Sequence, residues 1–491
     1  MLAILLVTTV ILLSTALLLR KYSRPSNFPP GPPWLPLVGS FPDLRRACSE
    51  HRHLHAALGA LAGRHETPVL GLRLSAPTVV VFGHDLVRHV LTREEFDGRP
   101  DSFFIRLRAM GGRRGITFTD GGLWHEQRSF ALRHLKQLGL GRGPMEALVT
   151  AELRGLLQLL ADGGEARVGE ACAPGVLSAL WVLVAGAGFS REDPLLRRLL
   201  SAFKARSSAF DMAGGTLDLC PWLRFLAPEW SGYNLIRRIN ADLKHIFMTT
   251  IKEHQKLYSQ DKTDDLIDAF LHEMELRKGK TSFTVDQLVM VCMDFFIAGV
   301  LTTSTTLDFL FATMLRHPDA QRRVQAELDS VVGRDRLPDF SDRPNLPYVE
   351  AVLLEVQRLY LVTPIIGPRR VTKNTTLYGY DIPKNTTVLL SLWSVHHDTQ
   401  HWGDPEVFRP ERHLDERGDV VVDEWLMPFG LGKRRCLGEA LARSCTFLFF
   451  AGILHQFEVL PAPGKELPSE DPVPGIVIAP QPYTALLRPR S

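Results

Sequence analysis

The feature that most limits how this chain can fold is a glycine-rich loop around one cysteine, residues 429–438, with the sequence FGLGKRRCLG. Gly430 and Gly432 permit backbone conformations that other residues disfavour, so several amides can converge on the sulfur of Cys436. Such amides and nearby positive charge favour the thiolate, which is the form of cysteine that binds a metal. A cysteine in a glycine-rich loop can also be purely structural, so the loop alone leaves both interpretations open.

Helical periodicity dominates the rest of the chain. Apolar residues recur at three- and four-residue spacing in six long stretches: 122–135, 145–160, 234–257, 284–316, 319–332 and 348–360. Strand-like runs are few and short: 69–72, 78–82, 386–390 and 476–478. No internal repeat divides the body. We therefore predict one domain, residues 42–491, that is mainly α-helical with a small segregated β-sheet, an α+β fold.

The N-terminus predicts a transmembrane anchor at residues 1–20. Residues 2–19 are apolar apart from a few Ser and Thr, and they are just long enough to span a bilayer as a helix. Arg20, Lys21 and Arg24 follow this run, where they hold the remaining chain on the cytoplasmic side. A cleaved signal peptide is the alternative, although it would carry its basic residues before the apolar run. We thus expect a single-pass anchor.

A proline-rich segment, residues 21–41, follows the predicted anchor. Its prolines exclude helix and give an extended, stiff spacer. An ordinary linker or a ligand for a polyproline-binding domain is the alternative. Beside an anchor, we expect a hinge that fixes the tilt of the catalytic body against the bilayer.

Composition excludes several classes of function. The chain has 57 basic and 54 acidic side chains, a net charge of +3, which does not indicate a nucleic acid partner. Its six cysteines form no CxxC pairs, which argues against a disulfide scaffold or a structural zinc site. We therefore expect reduced thiols and a catalytic domain in the cytosol.

Residues 429–438 resemble the haem-binding signature of the cytochrome P450 family, FxxGxRxCxG, with every fixed position matched. The resemblance implies a P450 fold around a buried haem b, with the Cys436 thiolate as the ligand of the iron. It also implies that Phe429 and Gly438 lie against the porphyrin and that Arg434 binds a propionate through charge-assisted hydrogen bonds.

Two further positions resemble haem contacts of this family. Residues 124–128, WHEQR, are similar to the WxxxR helix, in which Trp124 and Arg128 bind a propionate one turn apart. Arg369 falls where related enzymes hold the same group with His or Arg. Taken alone, the Trp and Arg could equally form a surface stacking pair.

Residues 298–303, AGVLTT, align with the family motif AGx(D/E)TT. The alignment implies that Ala298 and Gly299 leave room for dioxygen and that Thr302 donates a hydrogen bond that helps deliver the proton for O–O cleavage. An ordinary packing run in a helix is the alternative. Leu301 stands where most relatives have an acid. A water chain or Asp294 could relay protons instead, or the chemistry needs less proton delivery than hydroxylation.

Residues 355–358, EVQR, and 408–413, FRPERH, resemble two more motifs of the family. They imply a buried network of Glu355, Arg358 and Arg412 that supports the fold near the cysteine loop. The last motif position is often aromatic in the family, whereas this chain has His413, from which we expect little consequence.

The implied activity is monooxygenation, the insertion of one atom of O2 into a lipophilic small molecule by hydroxylation or epoxidation. Electrons would come from NADPH through a flavoprotein, NADPH-cytochrome reductase, with cytochrome b5 as a further candidate partner. Four basic residues would form the docking face for the acidic reductase: Arg133, Lys136, Lys433 and Arg435. The implied location is the endoplasmic reticulum membrane, with the catalytic domain on the cytoplasmic side.

Residues 96–100 and 118–121 look most like the insect branch of the microsomal enzymes, which oxidise hormones and foreign compounds. A terpenoid such as a juvenile-hormone precursor is therefore one candidate substrate. The pocket wall is expected from five stretches: 102–118, 203–233, 295–302, 363–366 and 476–478. Two alternatives stay open, a haem-thiolate dehydratase or isomerase on the same fold and a non-catalytic haem-binding sensor or carrier.

Overall fold

The computed structural model describes residue 9 and residues 23–141, 143–208, 215–259, 263–277 and 281–490. Its α-helices are α1 (Phe41–His51), α2 (Leu54–Arg64), α3 (His84–Thr92), α4 (Phe103–Arg108), α5 (Gly121–Gln137), α6 (Gly143–Leu159), α7 (Val168–Ala185), α8 (Pro194–Ser208), α9 (Gly215–Leu219), α10 (Leu223–Leu226), α11 (Tyr233–Lys256), α12 (Leu266–Leu276), α13 (Val285–Arg316), α14 (Pro318–Val331), α15 (Pro347–Leu359), α16 (Trp393–His396), α17 (Thr399–Trp402) and α18 (Glu439–Gln456). All six predicted helices are present, with ends that differ by two residues at most.

The strands are short, with three to six residues each. They are β1 (Val69–Arg73), β2 (Pro77–Val81), β3 (Gly164–Ala166), β4 (Ile365–Arg370), β5 (Thr375–Leu377), β6 (Tyr380–Ile382), β7 (Thr387–Ser391), β8 (Phe457–Pro461) and β9 (Ala485–Pro489). They form a four-stranded sheet in the order β1-β2-β7-β4, a three-stranded sheet β3-β9-β8 and a two-stranded sheet β5-β6. The prediction of mainly α structure with segregated β structure is confirmed, but the described residues form three sheets rather than one.

The prediction of a strand at residues 476–478 is wrong. An isolated bridge joins Val473 to Ala479 around this segment, and Pro474 and Gly475 lie between them. Proline lacks the N–H that a ladder needs, and the Pro-Gly pair favours a turn. The run therefore sits in a loop, although the Ile478 N–H still donates to the Val362 carbonyl (3.0 Å).

Helix α13 organises the core. The Thr284 side chain caps its start by accepting from the Gln287 N–H (3.2 Å), and Pro318 opens the next helix directly after it ends. The apolar residues of α13 lie on most of its faces. The helix can therefore be buried by neighbours on several sides, which are α7, α8, α11, α15 and α18. The central position of α13 lets its residues line a site inside the domain.

Helices α7 and α13 are long and apolar enough to cross a membrane, but most of each apolar window is buried inside the protein. By length and composition alone they indicate core helices as readily as membrane spans. The predicted anchor at residues 1–20 lies, apart from residue 9, outside the described residues. Of the predicted hinge, Phe28 is buried, and the Gly71 N–H of β1 donates to the Pro30 carbonyl (2.7 Å).

Candidate functional site

The cysteine loop is a closed turn that precedes α18. Gly430 and Gly432 have φ of +68° and +71°, a region that glycine tolerates and side chains do not. A Cβ at Gly432 would lie 2.3 Å from the Leu91 carbonyl oxygen. The Cys436 N–H donates to the Phe429 carbonyl (2.9 Å) and closes the loop. The backbone thus fixes the cysteine at the end of the turn.

A cavity of about 390 Å³ lies between this loop and α13. All ten residues predicted for the site line it: Trp124, Arg128, Ala298, Gly299, Thr302, Arg369, Phe429, Arg434, Cys436 and Gly438. They come from four parts of the chain that only the tertiary fold brings together. Their placement in one cavity is observed, and their individual roles stay predictions.

The Cys436 side chain is exposed, and it lines the cavity. Partial removal from bulk water raises the pKa of the Cys436 thiol, while the Gly438 backbone hydrogen bond and the charge of Arg128 lower it and the Glu439 carboxylate raises it further. The net shift is upward.

Arginine side chains form one rim of the cavity. The Arg434 guanidinium lies 3.9 Å from the centroid of the Trp124 ring and donates to the carbonyls of Asp97 and Thr119. Arg128 donates to the Arg435 carbonyl (2.8 Å). The hydrogen-bond acceptors of Arg128 and Arg434 are thus neutral carbonyl groups. The positive charge of the two guanidiniums is left for an anionic ligand.

Arg369 and Arg99 belong to the same rim. Arg369 donates to Asp97 (3.1 Å), whereas Arg99 donates to the carbonyls of Thr117 and Pro368 (2.9 Å each). Burial, followed by the neighbouring Arg434 and Arg369, lowers the pKa of Arg99 well below its usual value. Arg99 was missed from the sequence, although it lies in residues 96–100, which we had noted only as a marker of the insect branch.

These features fit a haem. Four guanidiniums on one rim suit the two propionates, and Cys436 offers a sulfur ligand inside the cavity. The space beside Gly438 is open, since a Cβ there would meet nothing within 4 Å. An added Cβ at Gly430 would come no closer than 3.9 Å to another atom, at Ile366. The loop therefore leaves room for a flat group against its backbone.

The α13 segment forms the opposite wall. The Thr302 hydroxyl donates to the Ala298 carbonyl (2.6 Å), and a Cβ at Gly299 would lie 3.1 Å from Leu180 of α7. Asp294, one of the two proton relays considered, accepts from the Ile116 and Thr117 amides (2.7 and 2.9 Å). Its carboxylate therefore holds the preceding loop in place, and two of its lone pairs are already used.

The pocket wall agrees only in part with expectation. Residues 102–118, 295–302 and 363–366 each contribute lining residues, whereas the described residues of 203–233 and 476–478 do not line this cavity. Leu180 and Leu183 of α7 line it instead. The sequence of α7 is apolar on all sides. It therefore predicts a buried helix but does not show which face of the helix meets the cavity.

The predicted charge network is present and larger than expected. Glu355 accepts from Arg358 through both oxygens (2.9 Å each) and from Arg412 (3.0 Å). His413 is fully buried, and its Nε2 lies 3.1 Å from Glu355 Oε2, a contact that the expectation of little consequence did not include. Burial acts to raise the pKa of Glu355, but the hydrogen bonds from Arg358 and His413 lower it to about 2.

Comparisons with known proteins agree with this geometry. The family model described as cytochrome P450 matches residues 29–487. The chain is 43% identical to the probable cytochrome P450 305a1 of Drosophila melanogaster over 95% of each chain. It is 38% identical to the farnesoate epoxidase of Bombyx mori over 96% of each chain, and 31% identical to the cytochrome P450 2U1 of Mus musculus over 99% of this chain and 95% of the other. The predicted likeness to insect enzymes is confirmed. The chain therefore belongs to the cytochrome P450 family of haem-thiolate monooxygenases.

Proposed function

We propose that the protein inserts one atom of O2 into a lipophilic small molecule, by epoxidation or hydroxylation, with haem b held by Cys436. The observation that carries this proposal is the single cavity with Cys436 on one side and Gly299 and Thr302 on the other. A haem bound through a cysteine thiolate supplies the chemistry that cleaves the O–O bond. Between these walls lies the space for dioxygen and for the substrate carbon.

The chain's own residues would hold and orient the reactants. Arg99, Arg128, Arg369 and Arg434 hold the propionates, and Trp124 stacks against Arg434. The Thr302 hydroxyl, which donates to the Ala298 carbonyl in this structure, can turn to donate to dioxygen and pass a proton. Apolar residues such as Leu180 and Phe295 exclude water and receive a lipophilic substrate.

A terpenoid hormone precursor is the proposed substrate. The farnesoate epoxidase of Bombyx mori, which the chain matches over nearly its whole length, is named for the epoxidation of farnesoate, a terpenoid acid. Electrons come from NADPH through NADPH-cytochrome reductase, with cytochrome b5 as a further donor. Lys433 and Arg435, both exposed on the cysteine loop, are part of the proposed reductase face.

Reconstitution with reductase, NADPH and ¹⁸O₂ tests the proposal. A single labelled oxygen in the product is the expected result. Product formed without NADPH would instead indicate a dehydratase or isomerase, for which the absence of an acid at Leu301 is the supporting observation. Failure to reduce dioxygen in the presence of reductase would indicate a sensor or carrier.

Leu301→Glu is expected to leave haem content unchanged and to raise the fraction of NADPH electrons that reaches product. Leu301 packs partly against the core beside Thr302, so a carboxylate there would stand next to the proposed proton donor. The measurement is product formed per NADPH consumed, and Leu301→Gln is the control of the same size without the charge. Unchanged coupling in Leu301→Glu would remove any special role for this position.

Membrane association is also part of the proposal, with residues 1–20 as a single-pass anchor in the endoplasmic reticulum, residues 21–41 as the hinge and residues 42–491 as the cytoplasmic catalytic domain. A second observation supports contact with lipid. Four large apolar side chains near α10 are each more than half exposed: Trp222, Phe225, Leu226 and Trp230. Such a patch, with aromatic rings among its members, suits the interface between headgroups and acyl chains.

Brominated lipids are expected to quench Trp222 and Trp230 when the full-length protein is reconstituted in vesicles. The double change Trp222→Phe/Trp230→Phe should then remove much of the quenching of total tryptophan emission. Trp425→Phe is the matched control, because Trp425 is half-buried in a stack between His84 and His401. Equal quenching in the double variant and the control would place the patch away from the bilayer.

A further inference from the structure

The cavity contains a buried amide that the protein itself does not satisfy. Gln357, on α15, is 9% exposed and lines the cavity. Its Oε1 atom is buried and has no hydrogen-bond partner among the described residues, whereas the neighbouring Glu355 and Arg358 bind each other through two hydrogen bonds. A buried amide oxygen that loses its hydrogen bond to water is costly unless another donor replaces it. Gln357 therefore calls for a ligand in the cavity.

Three threonines line the cavity together with Gln357. They are Thr302 and Thr306 on α13 and Thr446 on α18. Each hydroxyl donates to the carbonyl four residues earlier in its own helix, at 2.6, 2.9 and 2.8 Å. A hydroxyl has one proton and two lone pairs, so each threonine can still accept a hydrogen bond. The lining thus combines hydroxyl acceptors with an amide, which can both donate and accept.

Packing between α13 and α15 brings Gln357 to the row of threonines on α13. The two helices are in contact, and the rings of Phe309 and Tyr360 stack between them with centroids 4.6 Å apart. Thr306 precedes Phe309 by three residues, and Gln357 precedes Tyr360 by three, so each lies about one turn from the stack. Thr302 lies one further turn along α13. Gln357 and the two threonines therefore face the cavity from adjoining helices.

Water is the ligand that suits this set of groups. A buried water typically makes about three hydrogen bonds, and the amide of Gln357 and the hydroxyls of Thr302 and Thr306 can supply them. An ionic ligand would need an opposite charge, which none of these side chains carries. The same part of α13 has Leu301 where an acid was expected, and Asp294 already accepts two backbone amides. A water held by Gln357 would supply protons where no carboxylate stands.

We infer that Gln357 is a positioning residue that holds the water from which Thr302 receives protons, in place of an acid at Leu301. This inference rests on the proposed function. Oxygen insertion consumes O2, two electrons from NADPH and two protons, and it forms the oxidised product and one water. The bound water gives a proton to the Thr302 oxygen as the Thr302 hydroxyl gives up its own, and the water regains a proton from solvent. When the O–O bond is not cleaved, the same electrons and protons form hydrogen peroxide.

Gln357→Met tests the inference, because it keeps the length of the side chain and removes the amide. In the full-length, haem-loaded protein with reductase, NADPH and farnesoic acid, we expect product per NADPH to fall about 10-fold and hydrogen peroxide per NADPH to rise. This loss is part of the roughly 10²- to 10⁴-fold that a positioned proton-transfer group contributes. Gln357→Glu can still hold a water and should keep most of the product. Gln325→Met is the matched control, since Gln325 is a glutamine of 7% exposure on α14 that donates to the Phe457 carbonyl (3.1 Å).

A double variant separates proton delivery from packing. Leu301→Glu supplies a second source of protons, so Gln357→Met should reduce product per NADPH less in the Leu301→Glu protein than in the unaltered chain. An equal loss in both backgrounds would assign Gln357 to packing and overturn the inference. Unchanged product per NADPH in Gln357→Met would overturn it as well. The same holds if Gln357→Met and Gln357→Glu both fail to bind haem.

A crystal structure of the haem-loaded protein gives a measurement that needs no turnover. We expect an ordered water within hydrogen-bond distance of the Gln357 amide and the Thr306 hydroxyl, and we expect Gln357→Met to lose it. A Gln357 amide without this water would overturn the inference. A protein that inserts oxygen with equal coupling in Gln357→Met keeps the proposed function and loses this inference. A protein that holds the water but incorporates no oxygen from ¹⁸O₂ loses the proposed function, while the water site at Gln357 stands.

Discussion

Cys436→Ser is expected to abolish the absorption band that marks a thiolate-ligated haem in the reduced, carbon monoxide-bound protein, and to reduce oxygen insertion to background. A serine hydroxyl could not replace the sulfur ligand proposed for Cys436, which would direct electron density onto the iron. The loop itself should survive, because the hydrogen bond that closes it joins the backbone N–H of residue 436 to the Phe429 carbonyl. The glycines that allow its turns are also unchanged.

The matched control for this prediction is Cys445→Ala. Cys445 lies in the next helix, is fully buried, and has its pKa raised to about 12 by that burial. It should therefore act as a small apolar side chain, and its loss should leave the spectrum and the activity in place. A normal thiolate spectrum in Cys436→Ser would end the assignment of the ligand, and so would a protein that purifies without any tetrapyrrole.

The site could be predicted from the sequence further than the fold could. Fixed spacing inside short motifs identified Cys436, Arg434 and Thr302, and the structure places all three on one cavity. Arg99 was not predicted as a site residue, because nothing in the sequence of residues 96–100 distinguishes an arginine that donates to distant carbonyls from one on the surface. Its partners, Thr117 and Pro368, are brought to it only by the tertiary fold.

Two other differences between expectation and structure have physical causes of the same kind. Hydrophobic alternation does not tell whether a short apolar run finds a partner strand, which is why β8 and β9 were missed and residues 476–478 were wrongly assigned. His413 was judged by its departure from an aromatic motif position. Its contact with Glu355 depends on the short turn Pro410–His413 lying against α15, which the sequence of the turn alone does not specify.

Glu355→Gln is expected to destabilise the protein by about 3 to 5 kcal/mol at neutral pH, because it leaves Arg358 buried without its carboxylate and leaves Arg412 with Asp404 alone. Both Glu355 and Arg358 are fully buried, so solvent screens neither charge. The measurement is the urea midpoint of unfolding of the haem-loaded protein. Glu411→Gln is the matched control, because Glu411 lies on the turn that carries Arg412 and pairs with Arg323 at the surface. A surface pair of this kind contributes about 1 kcal/mol or less to stability.

The pH dependence separates the charge of Glu355 from its packing. The folded protein holds the pKa of Glu355 at about 2, below its ordinary value of 4.5, so the carboxylate stabilises the fold fully above about pH 4.5. As the pH falls from 4.5 towards 2, this contribution is lost in the unaltered protein. Glutamine does not titrate, so the difference between the two proteins should shrink across that interval. A deficit that stays constant with pH would assign the loss to the shape and hydrogen bonding of the side chain, since only an ionised carboxylate gives up its advantage in acid.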